Sequence, residues 1–138
     1  DVARIAAPHL ARHNLRLRLL CRLDGPIMVM ADAMRDALLN LVINSTESGQ
    51  EEGEIELEAW QEADRLIFAI RDRGSGLPAD TDVFAPFVTT KETGHGLGLA
   101  ISRRTVEAHG GSIRAEDRDG GGATLTIILP QPPTGAPW

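Results

Sequence analysis

The chain contains one cysteine, one lysine and no long apolar run, and these scarcities exclude several classes of protein. Cys21 alone cannot form a disulfide within the chain, which indicates a reducing compartment, and we expect a cytoplasmic domain of a soluble or membrane-anchored parent. No apolar run reaches the roughly 18 residues of a membrane span, so the domain is expected to make no membrane contact. The net charge of −6, with scattered arginines, argues against nucleic-acid binding.

Length and periodicity predict one compact α+β domain. A chain of 138 residues with 42% hydrophobic residues suits a single core. The apolar spacing predicts three helices and about five or six strands. The helices are expected at 1–13, 32–48 and 97–109, and the strands at 15–21, 27–30, 54–60, 65–71, 112–116 and 123–129. The domain would span 1–130, and the proline-rich segment 131–138 would be a C-terminal tail or linker.

The helix predicted at 32–48 has a narrow polar stripe. Asp36, Asn40, Asn44 and Glu47 recur at helical spacing, while the remaining faces are largely apolar. A helix that is apolar nearly all round is buried, so the stripe is expected to face a cavity with polar partners. The alternative is a partly exposed helix whose asparagines meet solvent or a neighbouring loop.

An aspartate follows the strand predicted at 65–71. Strand alternation places Asp72 on the same inward side as Leu66, Phe68 and Ile70. A carboxylate there needs a donor, such as the exocyclic amine of adenine, and the glycines of Asp72–Gly76 would let a flat base approach the backbone. The alternative is an ordinary turn in which Asp72 accepts bonds from its own following amides.

A hydrophobic hinge and a glycine-rich loop follow within 84–98. Phe84 and Phe87 can anchor a loop on which Thr89, Thr90 and Lys91, the only lysine, reach a phosphate. Glycines at alternate positions in 94–98 leave room for phosphates, and the helix predicted after them would direct free amides at an anion. This pattern favours a nucleoside polyphosphate. The alternatives are core phenylalanines with a solvated lysine, and a flexible connection before a helix.

In order and spacing, four segments resemble the boxes of the ATP-binding catalytic domain of sensor histidine kinases. That superfamily also includes DNA gyrase B, mismatch-repair ATPases and the heat-shock-ninety chaperones. The asparagine, first glycine, phenylalanine and second glycine boxes are matched by 38–45, 72–76, 84–87 and 94–101, respectively. The short lid most resembles nitrogen-regulation and oxygen-sensing kinases, and the resemblance covers nearly the whole chain.

The resemblance implies a Bergerat-type fold, a two-layer α/β sandwich with a mixed sheet of about five strands on three helices. ATP would lie between the helical layer and a lid at 77–96. Asn44 would bind Mg²⁺ with Asn40 beside it, Asp72 would recognise adenine, and Lys91 would neutralise phosphate charge. The other expected ATP contacts are Gly74, Gly76, Phe87, Thr89, Thr90, Gly94, His95, Gly96, Leu97 and Gly98.

The resemblance also implies a reaction that needs a partner domain. The family transfers the γ-phosphoryl group of ATP to a histidine on a dimerisation domain, and none of His9, His13, His95 or His109 has the surroundings of that acceptor. A response regulator would then receive the phosphoryl group. Asn40 stands where hydrolysing relatives place a glutamate base, so slow hydrolysis is expected. The alternative function is an anti-sigma-type serine kinase or a nucleotide-gated binding module of the same fold.

The chain departs from the usual family pattern at two further positions. Ser45 replaces the alanine usual after the second asparagine, a change that we expect to be tolerated. Ala123 stands where many superfamily members carry a threonine near the base.

Overall fold

The computed structural model describes residues 2–23, 27, 29, 31–46, 53–74 and 98–131. Three helices and five strands are described, where the sequence predicts three helices and five or six strands. Their order is α1 (Val2–Arg12), β1 (Leu15–Arg22), α2 (Ala31–Thr46), β2 (Gly53–Glu62), β3 (Arg65–Arg71), α3 (Gly98–Ala108), β4 (Ser112–Asp117) and β5 (Ala123–Pro130).

The five strands form one mixed sheet in the order β1-β2-β3-β5-β4. Strands β1 and β2 are parallel, and the other three neighbouring pairs are antiparallel. β3 is the central strand, and its residues Leu66–Ile70, whose side chains alternate between the two faces of the sheet, are all buried. This position explains a continuous apolar run where a strand with one solvated face would alternate.

One face of the sheet carries the core and packs against the helices. On α2 the buried side chains recur at the spacing of one helical face, at Met34, Ala37, Leu38, Leu41, Val42 and Ser45. Helix α1 buries Ala6 and Leu10, which are four residues apart, against the same core. Helix α2 contacts α1 and α3 and also touches β2 and β3. It is therefore central to the helical layer and holds the polar stripe close to the central strand.

The other face of the sheet is polar along β2. Ile55, Leu57 and Ala59 point to the core, so the intervening glutamates lie on the opposite face. There Arg71 of β3 lies 2.9 Å from Glu58 and 3.6 Å from Glu56. The ion pairs join neighbouring strands on the face opposite the core.

One predicted element is wrong. No strand forms at 27–30 as far as the structure describes it, because Ile27 and Val29 both lie outside the sheet. Both side chains are half-buried against the core cluster. Ile27 and Val29 cover the core with their side chains, and their backbone pairs with no strand of the sheet. Among the described residues, no helix has the length and hydropathy needed to cross a bilayer.

The boundaries of the predicted elements are otherwise close to the described ones. Residues 47–48, predicted to end α2, and Leu97, predicted to begin α3, lie outside the described residues. Gln131, the first residue of the predicted tail, is buried, and its amide donates to the carbonyl of Asp64 at 2.7 Å. The rest of that segment, 132–138, also lies outside the described residues.

Candidate nucleotide-binding site

The structure describes five of the residues that the sequence assigns to nucleotide binding. Asn40 and Asn44 lie on α2, Asp72 and Gly74 follow β3, and Gly98 begins α3. The others lie outside the described residues, where their roles remain predictions. They are Gly76, Phe87, Thr89, Thr90, Lys91, Gly94, His95, Gly96 and Leu97.

The two asparagines lie one helical turn apart on the same side of α2. Both are half-buried, as are Leu39 and Ile43 beside them, whereas Asp36 is exposed. The prediction of a helix enclosed nearly all round is therefore too strong. Helix α2 has one fully buried face, and its polar stripe passes from exposed at Asp36 to half-buried at Asn44. An amide in that setting can meet both protein and ligand, and its oxygen is a suitable donor for a hard cation.

Asp72 is buried at the end of the central strand, with 3% of its surface exposed. Its Oδ1 accepts hydrogen bonds from the amide of Gly74 at 2.9 Å and from the amide of Ala123 at 3.2 Å. The first bond is the local turn that the sequence allowed as an alternative, and it coexists with the predicted inward burial. Among the described residues, none donates a hydrogen bond to Oδ2. The turn thus orients a buried carboxylate whose second oxygen accepts no hydrogen bond from any residue that the structure describes.

Residues from a distant hairpin complete the surroundings of Asp72. The β4–β5 turn places Arg118 with its Nη1 3.1 Å from the Asp72 carbonyl oxygen. Gly122 lies so close that a Cβ on it would overlap that same oxygen. Sequence reasoning identified 119–122 only as a turn. The run of three glycines was the available signal of a close backbone approach, although it did not indicate which residue is approached.

The N-terminus of the helix that begins at Gly98 has a charge distribution that favours an anion. Its first turn contains no acidic residue, so the partial positive charge at its N-terminus is not offset from within the helix. Ser102, in the second turn, donates to the carbonyl of Ala37 in α2 at 3.2 Å. This bond ties the helix to the one that carries the asparagines.

No group of three or more histidine, cysteine or carboxylate side chains that could hold a metal occurs in the part of the chain that the structure describes. Among the described residues, the groups that could hold a metal at this site are amide oxygens, together with the oxygens of the metal's own ligand. Asn44, with Asn40 beside it, has that chemistry, so the donor set fits a magnesium ion bound together with phosphates.

Comparison with known proteins agrees with the predicted resemblance. The family model described as "Histidine kinase-, DNA gyrase B-, and HSP90-like ATPase" matches residues 30–133. The histidine-protein kinase AtoS of Escherichia coli is 45% identical over 85 residues, which make up 59% of this chain and 14% of AtoS. The sensor protein FixL of Bradyrhizobium diazoefficiens is 46% identical over 69 residues, covering 49% of this chain and 14% of FixL. The chain thus spans about a seventh of the length of these relatives.

Solved structures match nearly the whole fold. Full-length ShkA in complex with AMPPNP superposes with a TM-score of 0.84 at 29% identity, over 99% of this chain and 30% of ShkA. The nucleotide-free catalytic domain of the histidine kinase ThkA gives a TM-score of 0.80 at 26% identity, over 94% of this chain and 88% of that domain. The predicted two-layer fold, with its mixed sheet, is confirmed. Since the family model matches more than half of the chain, the chain belongs to the family of histidine kinase-, DNA gyrase B- and HSP90-like ATPases.

Proposed function

We propose that this chain is the ATP-binding catalytic domain of a two-component sensor histidine kinase. It would bind Mg-ATP and transfer the γ-phosphoryl group to a histidine on a separate dimerisation domain, from which a response regulator receives it. The proposal is supported by the family match and by relatives that are themselves sensor kinases. The observation that carries it is the buried carboxylate of Asp72, whose Oδ1 accepts from two amides while no described residue donates to its Oδ2.

Asp72 is proposed to recognise adenine. Its Oδ1 is occupied by the amides of Gly74 and Ala123, so an incoming donor would be directed to Oδ2. The 6-amino group of adenine is such a donor. A buried acceptor left unpaired costs about 1–3 kcal/mol, so a base without that amine would be disfavoured at this position.

Asn44 is proposed to hold Mg²⁺ through its amide oxygen, with Asn40 supporting the metal or the phosphates. Both side chains are half-buried on the same side of α2, which suits residues shared between protein and ligand. When bound, Mg²⁺ supplies positive charge that offsets the negative charge of the phosphates.

The phosphates are proposed to bind at the start of α3 and on the loop before it. Gly98 begins an 11-residue helix without an acid in its first turn, so its free amides favour an anion. Lys91 and the amides of 94–97 would surround the same phosphates. Their common task would be to stabilise charge as the γ-phosphoryl group leaves.

The chain's own residues favour transfer over hydrolysis. Asn40 cannot take a proton from water, so no general base stands at the position where hydrolysing relatives have one. Among the described histidine side chains, His109 is half-buried with its Nδ1 2.8 Å from the carbonyl of Thr105, which does not suit an accessible acceptor. We expect the acceptor on another domain because none of the four histidines has the sequence surroundings of the family's acceptor, and we expect slow ATP hydrolysis by this chain alone.

Radiolabelled ATP tests the reaction. The chain is mixed with a dimerisation domain from its parent protein, and the labelled product is exposed to acid. An acid-labile label on that domain supports the proposal. An acid-stable phosphoserine on a partner would support the serine-kinase alternative and contradict this one.

Calorimetry with Mg-ATP tests the metal assignment. Asn44→Asp keeps the size of the side chain but adds a negative charge beside the phosphates, so it should weaken binding by at least about tenfold. Gln61→Ala, at an exposed amide of β2, is the control and should leave the affinity unchanged. Unchanged binding by Asn44→Asp would show that Asn44 does not hold the metal.

A further inference from the structure

The pairing of β3 with β5 is altered where it reaches Asp72. Opposite residues at such a position in an antiparallel ladder normally exchange two backbone hydrogen bonds. The amide of Asp72 does donate to the carbonyl of Ala123, at 3.0 Å. The amide of Ala123, however, donates at 3.2 Å to the side-chain Oδ1 of Asp72. The carboxylate thus takes the place that the Asp72 carbonyl has in a regular ladder.

The displaced carbonyl is bonded by Arg118. Its guanidinium Nη1 donates to the Asp72 carbonyl oxygen at 3.1 Å. The backbone of Arg118 is itself held in the hairpin, because its amide donates to the carbonyl of Gly122 at 2.9 Å and its carbonyl accepts from Gly121 at 3.2 Å. The donor therefore comes from a fixed turn, and it reaches Asp72 from 46 residues further along the chain.

Gly122 closes the other side of the same carbonyl. It has a φ of +94°, and any Cβ there would overlap the Asp72 carbonyl oxygen and lie 2.7 Å from the Cα of Arg73. The peptide that follows Asp72 is thus confined between the backbone at Gly122 and the guanidinium of Arg118. Few orientations of this peptide satisfy both contacts.

We propose that Arg118 is a positioning residue that sets base selectivity by holding the Asp72 carboxylate in the ladder. While Arg118 bonds the carbonyl, the Ala123 amide remains available to Oδ1, and Oδ2 faces the base. Without Arg118 the carbonyl can take back the Ala123 amide as in a regular antiparallel pair. The carboxylate then loses one of the two bonds that orient it. This inference rests on the proposed recognition of adenine by Asp72.

A purely structural role for Arg118 predicts a different result. If the guanidinium only stabilised the hairpin, its loss would lower the stability of the fold and reduce the affinity for all nucleotides by the same factor. If it orients Asp72, its loss affects only nucleotides that donate to Oδ2. ATP and inosine triphosphate separate these cases, because inosine has a carbonyl oxygen where adenine has the 6-amino group.

The test compares Kd values of ATP and inosine triphosphate, measured by calorimetry with Mg²⁺ on the full chain. Arg118→Met removes the donor and should raise the Kd of ATP by about tenfold. The Kd of inosine triphosphate should change by less than about twofold. Arg118→Lys keeps one donor and should retain most of the selectivity. Arg114→Met is the matched control, since Arg114 is an exposed arginine of the same hairpin paired with Glu116, and it should behave as the parent.

An unchanged ratio of the two Kd values in folded Arg118→Met would overturn the inference, whether both affinities are retained or both are weakened by the same factor. If Arg118→Met does not fold, Arg118→Ala, which also removes the donor, is measured against the same criterion.

Asp72→Asn distinguishes this inference from the proposed function. If Asp72→Asn leaves the ratio of the two Kd values unchanged, the adenine assignment itself fails. If Asp72→Asn abolishes the selectivity while Arg118→Met does not, only the role of Arg118 fails.

Discussion

Ser102 of α3 donates its hydroxyl to the carbonyl of Ala37 in α2 at 3.2 Å, and Ser102 is fully buried. The bond joins the helix that begins at Gly98 to the helix that carries both asparagines. It therefore fixes the relative position of two elements to which the proposal assigns the phosphates and the metal.

Ser102→Ala should lower the free energy of unfolding by about 1 kcal/mol, the usual net value of one buried hydrogen bond. It should also weaken Mg-ATP binding, because α3 is less firmly held to α2. Urea unfolding and calorimetry measure the two effects. Ser112→Ala, at an exposed serine of β4, is the control. Equal stability of the two variants would contradict the prediction.

Two adjacent buried hydroxyls in α2 should respond to substitution with opposite signs. The Oγ of Ser45 is fully buried and has no hydrogen-bond partner among the described residues. Ser45→Ala removes an unsatisfied polar atom and should raise the free energy of unfolding by about 1 kcal/mol. An effect of opposite sign would show that the hydroxyl is bonded in solution.

Thr46 is the matched contrast to Ser45. Its Oγ1 donates to the carbonyl of Ile43 at 2.6 Å and is equally buried. Thr46→Val keeps the shape but removes this bond, so it should lower the free energy of unfolding by about 1 kcal/mol. Urea unfolding of both variants under the same conditions measures the difference, and equal effects would contradict the assignment of partners.

Gly122 and Gly121 offer a comparison between a steric contact and backbone strain alone. Both have positive φ, but a Cβ at Gly121 would meet no atom within 4 Å, whereas one at Gly122 would overlap the Asp72 carbonyl. Gly121→Ala should therefore lower the free energy of unfolding by about 1–2 kcal/mol, because alanine is strained in this backbone conformation. Gly122→Ala should lower the free energy of unfolding by about 2 kcal/mol more than Gly121→Ala does, because the hairpin must also move away from Asp72.

Denaturant unfolding of the two glycine variants gives this difference directly. Mg-ATP affinity should fall in Gly122→Ala and remain near the parent value in folded Gly121→Ala. If both alanine variants lower the free energy of unfolding by the same amount, the close approach of Gly122 to Asp72 is not a determinant of stability.

Much of the fold follows from short-range pattern. The alternation that places Asp72 with Leu66, Phe68 and Ile70 correctly predicts its burial. The apolar spacing of 32–48 correctly predicts a helix there but overstates how completely that helix is enclosed. Local turn chemistry is equally direct. Gly110, with a φ of +76°, follows the end of α3 where the sequence predicts a helix terminus.

The sequence-based predictions fail where contacts between residues far apart in the chain determine the structure. Ile27 and Val29 have the composition of a strand, but the core recruits their side chains while their backbone stays outside the sheet. The bond from Arg118 to the Asp72 carbonyl joins a side chain to a backbone atom across 46 residues, and no periodicity encodes it. Half-burial of Asn40 and Asn44 likewise depends on what packs beside α2, which the spacing of the stripe does not specify.

The most direct test of the account is the affinity of Asp72→Asn for Mg-ATP, measured by calorimetry beside the parent chain. Asparagine can still accept the amides of Gly74 and Ala123 through its oxygen, but it presents a donor where Oδ2 was. We predict that the parent binds Mg-ATP and that folded Asp72→Asn binds it at least about tenfold more weakly. No binding by the parent, or equal affinity in the variant, would contradict the account.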